Sequence, residues 1–139
     1  MTQMTVQSDS LSLKSKSTMA EVGPVIQSVV HYLRDHEVSS SLINQISIVI
    51  RELLINAMKH GNGFHSEDSV ILCISSVEHN RFKIEVQDSG DGFDYQKLEM
   101  SLPENPREIQ NRGFRLVKAY SDSIVFNQKG NKVTAYVSA

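Results

Sequence analysis

Tryptophan is absent from this 139-residue chain, and cysteine occurs once, at Cys73, so no internal disulfide can form. A disulfide-stapled secreted scaffold is excluded, and a chain of this length can bury a sizeable core without one. Cys73 lies in an apolar run, where the expected role is a small buried hydrophobe rather than a nucleophile or ligand. Charge of one sign is equally scarce. A formal net charge of -2 and a pI near 6.2 give no global reason to expect nucleic acid or an anionic membrane as partner. No apolar stretch reaches the roughly 18 residues of a membrane span, and residues 1–20 lack the apolar segment of a secretory signal. The expectation is a soluble protein acting in a reducing cytoplasm.

What is present is a 40% hydrophobic, 22% charged chain whose apolar spacing changes in a readable order. Residues 1–10 are polar and expected to fray, with one short strand over 6–13 that sets Leu11 and Leu13 on one face. Over 19–36, Val22, Val25, Ile26, Val29, Val30 and Leu33 recur at three and four, the signature of one helix face, with Pro24 tolerated near the start. Ser39 to Ser41 offer N-cap side chains for a second helix reaching about His60, which Gly61, Asn62 and Gly63 would end. Segments 70–77 and 81–87 read as a hairpin with one buried face. A short helix and then a mobile loop are expected over 95–111, which holds Pro103 and Pro106, and another helix opens at Gly113. Strands over 123–127 and 132–137 close the chain. The expected fold class is α+β, a two-layer sandwich of a mixed, mostly antiparallel sheet with its helices on one face, in a single domain spanning 1–139.

Two motifs stand out against this apolar pattern. The first runs Glu52-Leu53-Leu54-Ile55-Asn56-Ala57-Met58-Lys59-His60-Gly61-Asn62 on the second helix. Residues four apart share a helix face, so Glu52, Asn56 and His60 form a polar row. An amide oxygen is a neutral hard ligand suited to Mg²⁺, which takes its remaining ligands from water and substrate phosphates. Glu52, one turn away, is placed to accept a proton from a group approaching a terminal phosphate. The competing reading is a solvated helix edge, with Lys59 and His60 answering the negative end of the helix dipole.

The second motif, Asp88-Ser89-Gly90-Asp91-Gly92-Phe93-Asp94, follows a strand directly. It sets a carboxylate at the sheet end and removes two Cβ atoms, which lets a flat group approach the backbone. Adenine suits that space, because its exocyclic amine donates to Asp88 where guanine would present an acceptor. A tight Asp/Gly turn is the competing reading. Asn111-Arg112-Gly113-Phe114 adds backbone N–H groups at a helix N-terminus, where phosphate oxygens are favoured, and Arg112 can add a charge.

In order and spacing these segments resemble the Bergerat-fold (GHKL) ATPases, specifically the small bacterial anti-sigma-factor serine/threonine-protein kinases of partner-switching modules. The ending Phe126-Asn127 through Gly130-Asn131-Lys132-Val133-Thr134 looks like the family as well. The resemblance implies an ATP site in which Asn56 binds Mg²⁺, Asp88 and Thr134 read the adenine, Gly90 and Gly92 shape its pocket, and Glu52 is the catalytic base. Lys59, His60, Phe93, Arg112, Gly113 and Phe114 join the nucleotide-binding positions, and 95–112 becomes a short mobile ATP lid. It further implies a serine of an anti-anti-sigma (STAS-type) protein as substrate, alternate sequestration of a sigma factor or other regulator, and a homodimer. One departure concerns the last glycine box, usually Gly-x-Gly-Leu, where Asn111 replaces the first glycine. Asn tolerates left-handed geometry, so nucleotide binding is expected to survive and the lid is where turnover would change. Two other readings compete: a module that captures a regulator without phosphoryl transfer, and a catalytic domain serving a histidine-phosphorylating partner.

Overall fold

The computed structural model describes residues 3–7, 10–61, 68–89 and 112–139. Its elements are β1 (Gln3–Gln7), β2 (Ser10–Lys16), α1 (Val22–Asp35), α2 (Ser40–Asn56), β3 (Ser69–Glu78), β4 (Arg81–Asp88), α3 (Arg112–Tyr120), β5 (Ser123–Phe126) and β6 (Lys132–Ser138). The strands form a six-stranded sheet in the order β1-β2-β3-β4-β6-β5. This is the α+β two-layer arrangement with a mostly antiparallel sheet, and among the described strands every pairing is antiparallel.

Strand parity explains the layers. Side chains alternate faces along a strand, and on β4 the buried set is Phe82, Ile84, Val86 and then Asp88. Register carries these positions across the sheet: Leu13 pairs with Leu72, Leu72 with Val86, Val86 with Val133, and Val133 with Phe126. A parallel row joins Leu11, Ile74, Ile84, Ala135 and Ile124. Both rows lie under the helices. The third row reads Ser15, Val70, Asp88, so the apolar floor gives way to a carboxylate at one end of the sheet.

The helices cover that floor with their periodic faces. On α1, Val25, Val29 and Leu33 are buried, and on α2, Leu42, Ile46, Val49, Ile50 and Leu53 are. α1 ends because Glu37 turns left-handed at φ 58°. Val38 N–H then returns to the Leu33 carbonyl at 3.1 Å and Glu37 N–H to that of Arg34 at 3.0 Å. Ser39 caps α2, its Oγ accepting from Leu42 N–H at 3.2 Å. Gln45 on α2 donates to the Tyr120 carbonyl at 2.9 Å and to that of Ser138 at 3.3 Å, which pins the last turn of α3 and the end of β6 against α2.

Four expectations change. The polar start does not fray over its whole length, and the single strand expected over 6–13 is two strands, because residues 3–7 and 10–16 each alternate and pair as a hairpin, Gln3 with Lys14 through Gln7 with Ser10. α2 stops at Asn56 and continues as a wider π turn, Ala57–Gly61, rather than as regular helix to His60. Extended to Lys59, this helix is long and apolar enough to cross a membrane, with mean hydropathy 1.2, but its apolar positions are those of a core helix. Cys73 is half-buried on the sheet face away from the described helices, with Sγ 3.4 Å from Ser12 Oγ, since its parity is opposite to that of Leu72 and Ile74. The helix and loop expected over 95–111 lie outside the described residues.

Candidate functional site

The row that ends in Asp88 opens onto a cleft at one end of the sheet. Its helical wall is Leu53, Asn56 and Ala57, where α2 widens into the π turn. Its floor is Val86 and Asp88, and its far wall comes from Phe126, Gly130, Asn131, Lys132 and Val133 on β5, β6 and the turn between them. Apolar walls with a few convergent polar groups are the usual lining of a small-ligand site.

The two motif residues that meet here are Asn56 and Asp88. Asp88 is 7% exposed, because its parity points it under the helices, and its N–H donates to the Asn131 carbonyl at 3.0 Å. Asn56 Nδ2 is buried and has no hydrogen-bond partner among the described residues. Leaving such a group unpaired costs about 1–3 kcal/mol, so an orphan at a cleft wall is a group prepared for something that is not protein. Rotating the amide by half a turn exchanges Nδ2 and Oδ1. The same side chain can therefore present an oxygen to a cation or an N–H to a phosphate, and these residues fit a magnesium nucleotide. Among the described residues there is no cluster of three His, Cys, Asp or Glu, so a magnesium ion here would depend on Asn56 together with phosphate and water oxygens.

The remaining expected positions separate. Glu52 is half-buried one helical turn before Asn56 and does not line the cleft. Lys59 is exposed, and the main chain at His60 belongs to the π turn instead of regular helix. Thr134 is not brought to Asp88. On β6 the buried residues are Val133, Ala135 and Val137, so Thr134 lies on the opposite face, in register with Glu85. Val133 takes the place beside Asp88 that the resemblance gave to Thr134. Arg112, Gly113 and Phe114 form the first turn of α3, whereas Gly90, Gly92 and Phe93 lie outside the described residues.

Sequence reasoning missed the far wall as a set of site residues. Its signal was available in the parity of Val133 and in the turn residues Gly130 and Asn131 after Asn127. Lys132 borders the cleft, but its ammonium is held by Glu85 on the other sheet face at 2.6 Å, with Lys83 on the second carboxylate oxygen at 2.9 Å. Burial would push the Glu85 carboxyl up, but hydrogen bonds from Lys132 and Lys83 and their charges outweigh it and hold the group below its ordinary value. Arg115 on α3 is also buried, with Nε and Nη1 unpartnered among the described residues.

A two-layer α+β sandwich whose sheet ends in a carboxylate, faced by an unsatisfied helical amide, defines a small-ligand site of the nucleotide-binding class. The chain belongs to the histidine kinase-like ATPase domain family, which it matches over residues 16–137. The blue-light activated histidine kinase of Erythrobacter litoralis EL346 has a similar structure, with TM-score 0.54 and 19% identity over 73% of this chain and 31% of that one. The histidine kinase domain of the same protein gives a TM-score of 0.49 and 17% identity over 84% of this chain and 60% of that one. At such identity the first likeness speaks for the fold, and this chain spans about a third of that protein's length. None of the curated proteins matches the chain significantly. Membership of this family makes an ATP-binding, kinase-type domain the coarse functional assignment.

Proposed function

We propose that this chain is an ATP- and Mg²⁺-dependent protein-serine kinase that phosphorylates an anti-anti-sigma (STAS-type) protein and, in the alternate state of the switch, holds a sigma factor or related regulator. The observation that carries the nucleotide part is the pairing of Asp88 with the orphaned amide of Asn56 across one cleft. The choice of serine rests on the resemblance of the Glu52 and Asp88 motifs. In keeping with an acceptor on another protein, none of the described histidine side chains lines the cleft: His31 pairs with Asp35 at 3.6 Å, His36 bonds the Tyr32 carbonyl, and His79 lies in the β3–β4 turn.

In this reading Asp88 accepts from the exocyclic amine of adenine, and Val86 and Val133 flank the ring. Asn56 would hold the magnesium ion, whose chemistry there would be to neutralise charge on the phosphates. Glu52 accepts the proton of the serine hydroxyl as that oxygen bonds the terminal phosphorus, and ADP leaves with the electron pair of the broken P–O bond. A second reading, capture of a regulator without transfer, is favoured by one observation: Glu52 does not line the described cleft.

One assay separates the two. Purified protein is incubated with radiolabelled ATP, Mg²⁺ and an anti-anti-sigma protein from the same genome, beside an ATP titration. Serine labelling that disappears in Glu52→Gln while ATP affinity stays within about twofold establishes the kinase. Tight ATP binding with no labelling of any candidate partner moves the assignment to the capture module.

A further inference from the structure

The far wall of the cleft is held by one side chain to which the sequence motifs assign no role. Asn127 lies just after β5, and its Oδ1 accepts from three successive backbone N–H groups, Gly130 at 2.8 Å, Asn131 at 3.0 Å and Lys132 at 3.2 Å. Its main chain closes the same turn: Asn127 N–H donates to the Lys132 carbonyl at 3.0 Å, and Gly130 N–H also reaches the Asn127 carbonyl at 3.1 Å. The turn is tight enough that Gly130 is buried and left-handed at φ 83°. A side-chain oxygen that collects three backbone donors replaces a stretch of ladder with a single rigid ring of contacts.

The other end of the amide reaches toward Asp88. Asn127 Nδ2 donates to Asn131 Oδ1 at 2.7 Å. That bond fixes which way the Asn131 amide faces and leaves Asn131 Nδ2 to donate to the Asp88 carbonyl at 3.5 Å. The return bond runs from Asp88 N–H to the Asn131 carbonyl at 3.0 Å. The relay Asn127, Asn131, Asp88 thus crosses from the end of β5 to the end of β4, two strands that are not sheet neighbours because β6 lies between them.

We infer that Asn127 is a positioning residue for the adenine pocket, setting the far wall through its oxygen and the placement of Asp88 through its nitrogen. The inference rests on the nucleotide reading given above. Its two halves can be separated by chemistry. Asn127→Asp keeps an acceptor for the three N–H groups but loses the donor to Asn131. The Asn131 amide must then turn over, which presents its oxygen to the Asp88 carbonyl and breaks the relay. Asn127→Ala removes both halves.

The test is calorimetric titration of Mg²⁺-ATP and Mg²⁺-GTP into the unmodified protein and both variants, beside thermal melts and amide hydrogen exchange at Asp88 and residues 130–132. Asn127→Asp is expected to keep protection at 130–132, lose it at Asp88, and weaken ATP roughly three- to tenfold, with GTP little changed. A purely structural role would instead make affinity losses follow the melting temperature and fall equally on both nucleotides. That result, or ATP affinity within twofold of the unmodified protein despite lost protection at Asp88, overturns the role. Failure of the unmodified protein to bind ATP overturns the nucleotide reading itself, and this role with it.

Discussion

The two walls of the cleft are built on opposite plans. On the strand side the turn after β5 is closed by Asn127, whose side-chain oxygen satisfies three backbone donors, and Lys132 is neutralised by Glu85. On the helix side the regular hydrogen-bond pattern is given up at Ala57–Gly61, and Asn56 carries a buried donor with no partner among the described residues. One wall is finished without a ligand and the other is not. The difference separates residues that hold the site from residues that wait for its occupant, because evolution tolerates an unsatisfied buried group chiefly where function repays it.

Asp88, where the walls meet, carries the largest expected effect. Asp88→Asn preserves shape but adds a donor that faces the adenine amine, so ATP is expected to weaken on the order of ten- to a hundredfold and the preference for ATP over GTP to narrow. Competition titration with the two nucleotides checks it. Unchanged selectivity would remove Asp88 as the base reader.

The next pair of variants tests the contrast directly. Asn127→Ala leaves the Asn131 and Lys132 N–H groups without an acceptor, Gly130 N–H keeping the main-chain carbonyl, and is expected to cost about 1–3 kcal/mol of stability by denaturant melts. Asn56→Ala removes an orphan and is expected to change stability by less than about 1 kcal/mol, yet to weaken Mg²⁺-dependent ATP binding about tenfold. Equal stability losses for both would erase the distinction between the walls. Equal ATP affinity with and without Mg²⁺ in the unmodified protein would remove Asn56 as a ligand.

Much of this arrangement was legible in the residue order, and the failures have physical causes. The alternation of Phe82, Ile84 and Val86 points Asp88 into the helical face by parity alone, and Ser39 is an N-cap by its chemistry. The same parity, applied to Val133, Ala135 and Val137, turns Thr134 away from the cleft. There the alternation of the strand is the better guide than resemblance. The π turn after Asn56 left no mark in the sequence, since no propensity distinguishes it from regular helix. The N-terminal hairpin was hidden because β1 is an edge strand, where polar residues suit solvent and Met4 remains 59% exposed. The Asn127 relay was invisible because it depends on β6 lying between β4 and β5, which is a property of topology.

The smallest effect comes from the ion pairs that finish the strand-side wall. Glu85 is held below its ordinary value of 4.5, so its contribution to stability is fully present above that pH and is lost as pH falls through the lower folded value. Lys83 is raised above its ordinary 10.5, by the hydrogen bond it donates to Glu85 first and by the Glu85 charge second, so that part persists below 10.5 and is lost only at higher pH. Solvent screening limits the whole to less than about 1 kcal/mol. Melts of Glu85→Gln beside the unmodified protein are expected to differ slightly near neutral pH and to converge as acid protonates the carboxylate. ATP affinity of this variant is expected to stay within about twofold, because Glu85 holds the Lys132 ammonium on the sheet face opposite Asp88. A larger change, in either direction, would mean that the freed lysine reaches the phosphates, and that the wall described as complete also has a group to offer the ligand.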